Sequence, residues 1–361
     1  MKKIGKKKLA MMVLVSVLLV TIAACFINVA WGIILFAFYA LCLCVLAAGL
    51  LLNKCVRKTN WYKNLFLHTE QFVSNAGYRD NLIRNYEIVN LGSNPALFAF
   101  FYENIKGQNW STGSQGLDMD FEILKYFHSY LKTGGTVLIP IMPFTSISPY
   151  LKNKPEYWNK SYYAKFAGLL DSSLISGVPE LKSSKYFSRF PLFYKPASLL
   201  YLLHDTAPDT RYLISEQPMM PIELEQDANK WIAGWLKEFD MKSLDIPLTE
   251  KWKKYYDESV TLLRSMISYC MERNYKPVLI CPPMTESLSK KIPRQYRQAY
   301  VLDFIRKSNT ADIPFLDYTD CAEFQDPAFY FNSFFLNLHG RKLFTRRVLK
   351  DLGLVGTTDA G

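Results

Sequence analysis

Histidine and cysteine are scarce in this chain, and their scarcity excludes several kinds of site. The 361 residues include only four histidines and seven cysteines. Beyond the apolar N-terminal region the only cysteines are Cys270, Cys281 and Cys321, which have no metal-ligand spacing. A sparse set of odd number is not a disulfide framework, and the default for such residues is a buried thiol. The sequence therefore indicates no metal site and no cofactor.

Charged residues are absent from positions 9–53, an uninterrupted run of 45 residues. As a helix this run would be about 67 Å long, roughly twice the hydrocarbon thickness of a bilayer. It predicts a membrane region at residues 1–58 with two spans, at about 9–27 and 33–52, joined by a turn at 28–32. A cleaved signal peptide is the alternative, but its apolar segment would be only about 7–15 residues long.

Basic residues flank both predicted spans. Five lysines lie within the first eight residues, and Lys54, Arg57 and Lys58 follow the second span. The positive-inside rule places both flanks in the cytoplasm, which gives a helical hairpin with the globular domain inside the cell. A single tilted span with an interfacial helix would place the domain outside. The net charge of +11 needs no nucleic acid, because a domain near anionic lipid accounts for it.

Residues 59–361 alternate short apolar runs with amphipathic segments. Strands are predicted at residues 86–91, 136–142, 277–281 and 313–318, and helices at 95–104, 118–132, 250–274, 293–307 and 340–352. This alternation indicates a three-layer α/β sandwich with a mainly parallel central sheet. Along the last helix, Phe344 and Val348 are expected to face inward and Arg341 to face solvent. Residues 145–247 break the rhythm and are interpreted as an insertion over the carboxyl edge of the sheet, with a few helices.

Ser93 lies between a predicted strand and a predicted helix. Gly92 permits a sharp turn there, and Pro95 suits the first turn of a helix. A serine in this position projects from the carboxyl end of a strand, the usual place for chemistry in an open α/β sheet. The alternative is a helix N-cap, since serine and asparagine are favoured caps whatever the function.

Three segments together resemble the SGNH, or GDSL-like, hydrolase superfamily. They are LGSN at residues 91–94, NWSTGSQGLDMD at residues 109–120 with GGTVLIPI at 134–141, and DYTD at 317–320 with FYFNSFFLNLHGRKLFT at 329–345. The resemblance is to the membrane-anchored bacterial branch associated with cell-envelope acyl transfer. It implies an SGNH or flavodoxin-like fold on the extracytoplasmic side, with Ser93 as nucleophile. It also implies an oxyanion-type pocket built from Gly92, Asn94, Gln115 and Gly116.

The third segment departs from the family pattern at two positions. Where the family has its catalytic Asp and His, this chain has Asn332 and Phe335. A serine hydroxyl is a poor nucleophile without a neighbouring base and its orienting carboxylate, and neither replacement can supply them. His339, four residues after Phe335, is the only nearby substitute base.

The leading functional hypothesis is therefore a catalytically degenerate partner in bacterial cell-envelope acyl transfer or polysaccharide modification. Such a protein would hold an acylated or glycan ligand near Ser93. The enzyme alternative is an active serine O-acyltransferase or esterase that uses Ser93 with a non-standard base such as His339. A third hypothesis is a structural subunit that binds a multi-span membrane acyltransferase through the helical hairpin.

Overall fold

The computed structural model of the chain describes residues 28–66, 84–111, 115–148, 190–207, 218–245 and 247–354, with residues 16, 20–22 and 26. The described residues form two compact units. The first contains the N-terminal apolar helix and the segment Phe190–Asp205. The second contains the other described residues from Asn60 onward.

The first unit is built around α1, Val29–Val56. Asn28 caps this helix, and its side-chain oxygen accepts a hydrogen bond from the Ala30 amide at 2.8 Å. Among the described residues, α1 is the one helix long and apolar enough to cross a membrane. The turn predicted at residues 28–32 is wrong beyond its first residue, because the helix is continuous from Val29. Most of the first predicted span, residues 9–27, lies outside the described residues.

The second unit contains a five-stranded sheet in which every pair of neighbouring strands is parallel. Its strands are β1 (Tyr86–Asn90), β2 (Gly107–Asn109), β3 (Leu131–Pro140), β4 (Lys276–Cys281) and β5 (Phe315–Asp317). The strand order is β2-β1-β3-β4-β5. This order confirms an α/β chain with a parallel sheet, and it reverses direction between β1 and β3, where ligands bind in such sheets.

Helices and single turns connect these strands. They are α2 (Asn60–Phe66), α3 (Asn94–Leu97), α4 (Leu117–Phe127), α5 (Pro191–Tyr194, in the first unit), α6 (Pro221–Glu238), α7 (Glu250–Glu272), α8 (Glu286–Ser289), α9 (Arg294–Arg297), α10 (Asp303–Ser308) and α11 (Leu338–Asp351). A π-helical segment, Gln298–Leu302, joins α9 to α10, so the helix predicted at 293–307 is present with a bulge. Within the predicted insertion, residues 149–189, 208–217 and 246 lie outside the described residues.

Two predicted helices are shorter than expected. The helix predicted at residues 95–104 ends at Leu97, because the side-chain amide of Asn109 donates to the carbonyls of Leu97 and Phe100 at 3.1 and 3.2 Å. These carbonyls are thus satisfied without a further helical turn. The helix predicted at 118–132 ends at Phe127, because the chain from Leu131 already pairs with β1.

One residue predicted to face solvent is buried instead. Arg341, near the start of α11, is only 4% exposed, so its predicted orientation is wrong. Its Nη2 donates to the Phe100 carbonyl at 3.1 Å, and its guanidinium lies 5.3 Å from the centre of the Phe101 ring. Phe344 and Val348 are buried as predicted. The arginine therefore ties the last helix to the loop that follows α3.

Candidate functional site

The turn after β1 requires a glycine. Gly92 has a φ of 111°, a conformation that side chains with a Cβ rarely adopt. A Cβ at this position would also lie 2.8 Å from the Ala96 Cβ and 3.1 Å from the Pro140 Cγ. The backbone can therefore pass close to the end of β3 and place Ser93 at the carboxyl edge of the sheet.

Ser93 lies where the sequence predicts it, just beyond the carboxyl end of the interior strand β1. It is the N-cap residue of α3, but its side chain makes no capping hydrogen bond. Its hydroxyl makes no hydrogen bond with the described part of the chain. The capping interpretation accounts for the position of Ser93 but leaves its hydroxyl unused.

Ser93 lines a cavity of about 390 Å³ at the point where the strand order reverses. The polar part of its lining consists of Ser93, Asn94, Gln115, Gly116 and Asp120. The aromatic part, called the aromatic wall below, consists of Phe144, Trp231, Trp235, Phe239, Phe334 and Phe335. The only ionisable side chains in its described lining are the carboxyls of Asp120 and Glu238. A lining with both polar and aromatic residues suits a ligand that has both polar groups and an apolar part.

Apart from Phe144, which follows β3, the aromatic wall is a packed cluster contributed by α6 with its C-cap Phe239 and by the loop before α11. The Trp231 ring lies 5.3 Å from the Phe335 ring, and the Trp235 ring lies 5.3 Å from the Phe334 ring. The Trp231 Nε1 donates to Asp227 at 3.1 Å, which fixes the orientation of the indole. The same carboxylate oxygen accepts from the amide of Ser333 at 2.9 Å. Asp227 thus links the two segments that form the wall.

Phe335 occupies this wall at the position where the resemblance expects a catalytic histidine. The ring is 7% exposed and stacks on Phe98 with centroids 5.0 Å apart. Asn332, at the expected aspartate position, does not line the cavity. Its side-chain oxygen instead accepts from the amides of Phe334 and Phe335 at 2.8 and 2.7 Å. Asn332 therefore shapes the turn that presents the two phenylalanines.

Asp120, in α4, is a functional candidate that sequence reasoning missed. It is 3% exposed and lines the same cavity as Ser93. One of its oxygens accepts from the Gly92 amide at 2.8 Å and from the side-chain amide of Gln115. Burial raises the pKa of this carboxyl to about 7, although the hydrogen bonds from Gln115 and Gly92 lower it. A carboxyl with this pKa exchanges a proton near neutral pH.

Two groups of the expected oxyanion pocket already have partners inside the protein. The Gly92 amide donates to Asp120, and the Gln115 Nε2 donates to Asp120 and to the Trp110 carbonyl, the latter at 3.2 Å. The Gln115 Oε1 is buried and has no hydrogen-bond partner among the described residues. Gln115 thus brings an unused acceptor to the cavity lining, not a free donor. Asn94 and Gly116 do line the cavity beside Ser93.

No histidine lines the described part of this cavity. His339 is exposed near the start of α11, and its ring packs on Phe329 with centroids 5.6 Å apart. His128 lies 3.2 Å from the Tyr275 hydroxyl, and His68 is outside the described residues. The structure therefore does not bring His339 together with Ser93 in the cavity.

A buried polar network holds the carboxyl end of β1, immediately before the Ser93 turn. The Asn90 side-chain nitrogen donates to Asn109 at 2.8 Å and to Ser111 at 2.6 Å, and the Tyr102 hydroxyl donates to Asn90 at 3.1 Å. The Ser111 hydroxyl donates to the Leu91 carbonyl at 2.8 Å. Since each of these buried groups has a partner, the network holds the end of β1 in one conformation.

Comparison with known proteins adds no family to these observations. No protein-family model matches the chain, and no curated protein matches it either. The resemblance to SGNH hydrolases therefore depends on the three sequence segments alone.

Proposed function

We propose that this chain is a membrane-anchored protein of SGNH-hydrolase type that binds an acylated glycan beside Ser93 without cleaving it by a Ser-His-Asp triad. It would act as a catalytically degenerate partner in bacterial cell-envelope acyl transfer or polysaccharide modification. Its own partner in the bilayer would be a multi-span membrane acyltransferase. The helix α1 would supply the anchor.

The observation that carries this proposal is the position of Phe335 in the wall of the Ser93 cavity. Its ring is packed between Phe98 and Trp231, so an aromatic side chain fills the place that a general base would need. The described lining contains no imidazole that could take its role. The cavity itself is retained. A protein that keeps the cavity but lacks the base is suited to holding a ligand.

The chemistry of the lining favours an uncharged ligand with hydroxyl groups. An anionic group would meet the carboxyls of Asp120 and Glu238 and no cation in the described lining. A hydroxyl both donates and accepts, so it can donate to the Gln115 Oε1, which has no partner among the described residues. Leaving a buried acceptor unpaired is costly. Trp231 and Trp235 offer flat apolar surfaces for a sugar ring or an acyl chain. These features together support an acylated glycan.

A second candidate function, an active O-acyltransferase or esterase, is favoured by Asp120. This carboxyl lines the cavity with Ser93, and burial brings its pKa to about 7. A carboxyl with this pKa can act as a general base at neutral pH. In this alternative Asp120 replaces His339 as the non-standard base, because His339 does not line the cavity.

The strand order supports the SGNH-type fold in this proposal. The order β2-β1-β3-β4-β5 with all strands parallel is the flavodoxin-like arrangement. In that arrangement ligands bind at the carboxyl end of β1, where the strand order reverses. The resemblance expects the nucleophilic serine at this same place.

The proposal is tested by measuring binding and hydrolysis on the full-length protein in detergent. An O-acetylated oligosaccharide should change the tryptophan fluorescence, and Trp231→Leu should weaken this binding while Trp31→Leu in α1 should not. Ser93→Ala should retain binding. Hydrolysis of model acyl esters should not exceed about 10³–10⁴ times the rate in water, which is what typically remains after the loss of a triad member. Robust turnover abolished by Ser93→Ala and by Asp120→Asn would establish the enzyme alternative instead.

A further inference from the structure

The segment Phe190–Asp205 belongs to the same compact unit as the apolar helix α1. Its helix α5 and the following 3₁₀ helix, Pro196–Leu202, pack against α1. The Leu192 amide donates to the Asn53 side chain at 3.1 Å, which places the contact at the last turns of α1. Asn53 and Val56 are buried there, whereas most of α1 before them is exposed. The segment is thus fixed beside the C-terminal end of the candidate membrane span.

This segment exposes a ridge of leucines. Leu200 is 64% exposed and Leu203 is 78% exposed, with Leu199 and Leu202 less exposed beside them. Residues three apart in a 3₁₀ helix lie on the same side, so Leu200 and Leu203 point in one direction. The exposed residues of α1 are also largely apolar. Contiguous exposed apolar surface of this kind marks a binding surface.

The charge pattern indicates what covers the ridge. Lys54 is the first charged residue after the 45-residue uncharged run, so the boundary of the hydrocarbon layer falls near the end of α1. Arg57 and Lys58 follow it, and Lys195 in the segment packs its Nζ 3.1 Å from the Tyr201 hydroxyl. Basic groups beside exposed leucines match the headgroup region of a membrane that contains anionic lipid.

We infer that residues 196–203 form a second membrane contact, which inserts Leu200 and Leu203 into the headgroup boundary beside the C-terminal end of α1. The partner is the bilayer surface itself. This inference depends on the proposed membrane anchoring by α1. The contact would fix how the first unit is seated in the bilayer, because one span alone leaves rotation about its axis free.

The test places an environment-sensitive fluorophore on single cysteines of the full-length protein in vesicles of phosphatidylcholine and phosphatidylglycerol. All seven native cysteines are first replaced, and three proteins are compared: Leu203→Cys, a protein with Cys44 of α1 restored, and Met271→Cys. Met271 is a matched control, since it is an exposed apolar residue of α7. Quenching is measured with lipids that carry a nitroxide either at the headgroup or at mid-chain.

The fluorophore at Leu203 should shift to shorter wavelength and be quenched by the headgroup nitroxide, since an interfacial face inserts only about 5–10 Å. The fluorophore at Cys44 should be quenched by the mid-chain nitroxide, and the one at Met271 by neither. Quenching at Cys44 without quenching at Leu203 would overturn this inference and leave the anchor intact. Absence of quenching at Cys44 would overturn the membrane anchoring itself.

Discussion

The carboxyl of Asp120 accepts a hydrogen bond from the backbone amide of Gly92 at 2.8 Å. This single contact joins the first turns of α4 to the turn that carries Ser93. It occupies an amide that an oxyanion pocket would need free. It also holds a carboxyl in a buried site, where its neutral form is favoured.

Asp120→Asn should flatten the dependence of stability on pH. The folded pKa of about 7 lies above the ordinary value of 3.8, so the folded state binds the proton more tightly. The stabilisation is therefore complete below pH 3.8 and is lost as the pH rises through about 7. This contribution to the free energy of unfolding is at most about 4 kcal/mol, at roughly 1.4 kcal/mol per pKa unit. Asparagine keeps the oxygen that accepts from Gly92 and has no charge to bury.

The measurement is the melting temperature of both proteins at several pH values between 4 and 8. The wild type should lose stability across this interval relative to Asp120→Asn. Asp257→Asn, at an exposed position of α7, serves as the control and should follow the wild type. Parallel curves for the wild type and Asp120→Asn would contradict the assignment of a raised pKa to this carboxyl.

Introducing the Asp and His that the resemblance expects should not create activity. Asn332→Asp keeps the oxygen that accepts from the amides of Phe334 and Phe335, so the turn should persist. An imidazole at position 335 would enter the space packed against Phe98 and Trp231. We therefore expect the double variant Asn332→Asp/Phe335→His to hydrolyse model acyl esters no faster than the wild type.

A general base typically increases a reaction rate about 10²–10⁴-fold. An increase of that size in ester hydrolysis by the double variant would contradict this prediction. Abolition of the gain by Ser93→Ala would then show that the imidazole reaches the serine.

Phe335→Ala measures how much the packing of this ring contributes to stability. It should lower the free energy of unfolding by about 3–5 kcal/mol, the usual cost of removing a buried phenyl ring.

Arg341→Ala should destabilise the protein far more than Arg346→Ala. Arg341 is buried and donates to the Phe100 carbonyl, whereas Arg346 is exposed on the same helix. Asn109 still donates to the same carbonyl, so the expected cost is that of the lost hydrogen bond from a charged group, about 1.5–3 kcal/mol. The exposed substitution should change stability by less than about 0.5 kcal/mol. Chemical denaturation of both variants would measure this, and equal effects would refute the structural role of Arg341.

The parts of the fold that follow from local pattern could be predicted, and those set by tertiary contacts could not. Four strands were predictable because each contains an apolar run, but β2 has only a glycine and two polar residues and gives no such signal. Asp120 lies near the start of α4, where acidic residues favour the helix dipole whatever their function. Arg341 was assigned to solvent because its buried partner, the Phe100 carbonyl, is 241 positions away along the chain. Pro221 and Glu223 are favourable at a helix start and could have indicated α6, on which Trp231 and Trp235 have helical spacing. Nothing in the sequence indicates that these tryptophans line a cavity.

Crossing of the membrane by α1 predicts that its two ends are labelled from opposite sides. The helix has 28 residues and is about 42 Å long, which exceeds a hydrocarbon layer of about 30 Å, so it can cross with some tilt. In a cysteine-free background, Asn28→Cys and Lys63→Cys should differ in their reaction with a membrane-impermeant maleimide added to intact cells. Both positions are exposed, so burial does not explain a difference.

A third cysteine, at position 8, tests the hairpin, because a hairpin places position 8 on the same side of the membrane as Lys63. Labelling of positions 28 and 63 from the same side would exclude a crossing between them, whereas labelling of position 8 opposite to Lys63 would leave α1 as the only span.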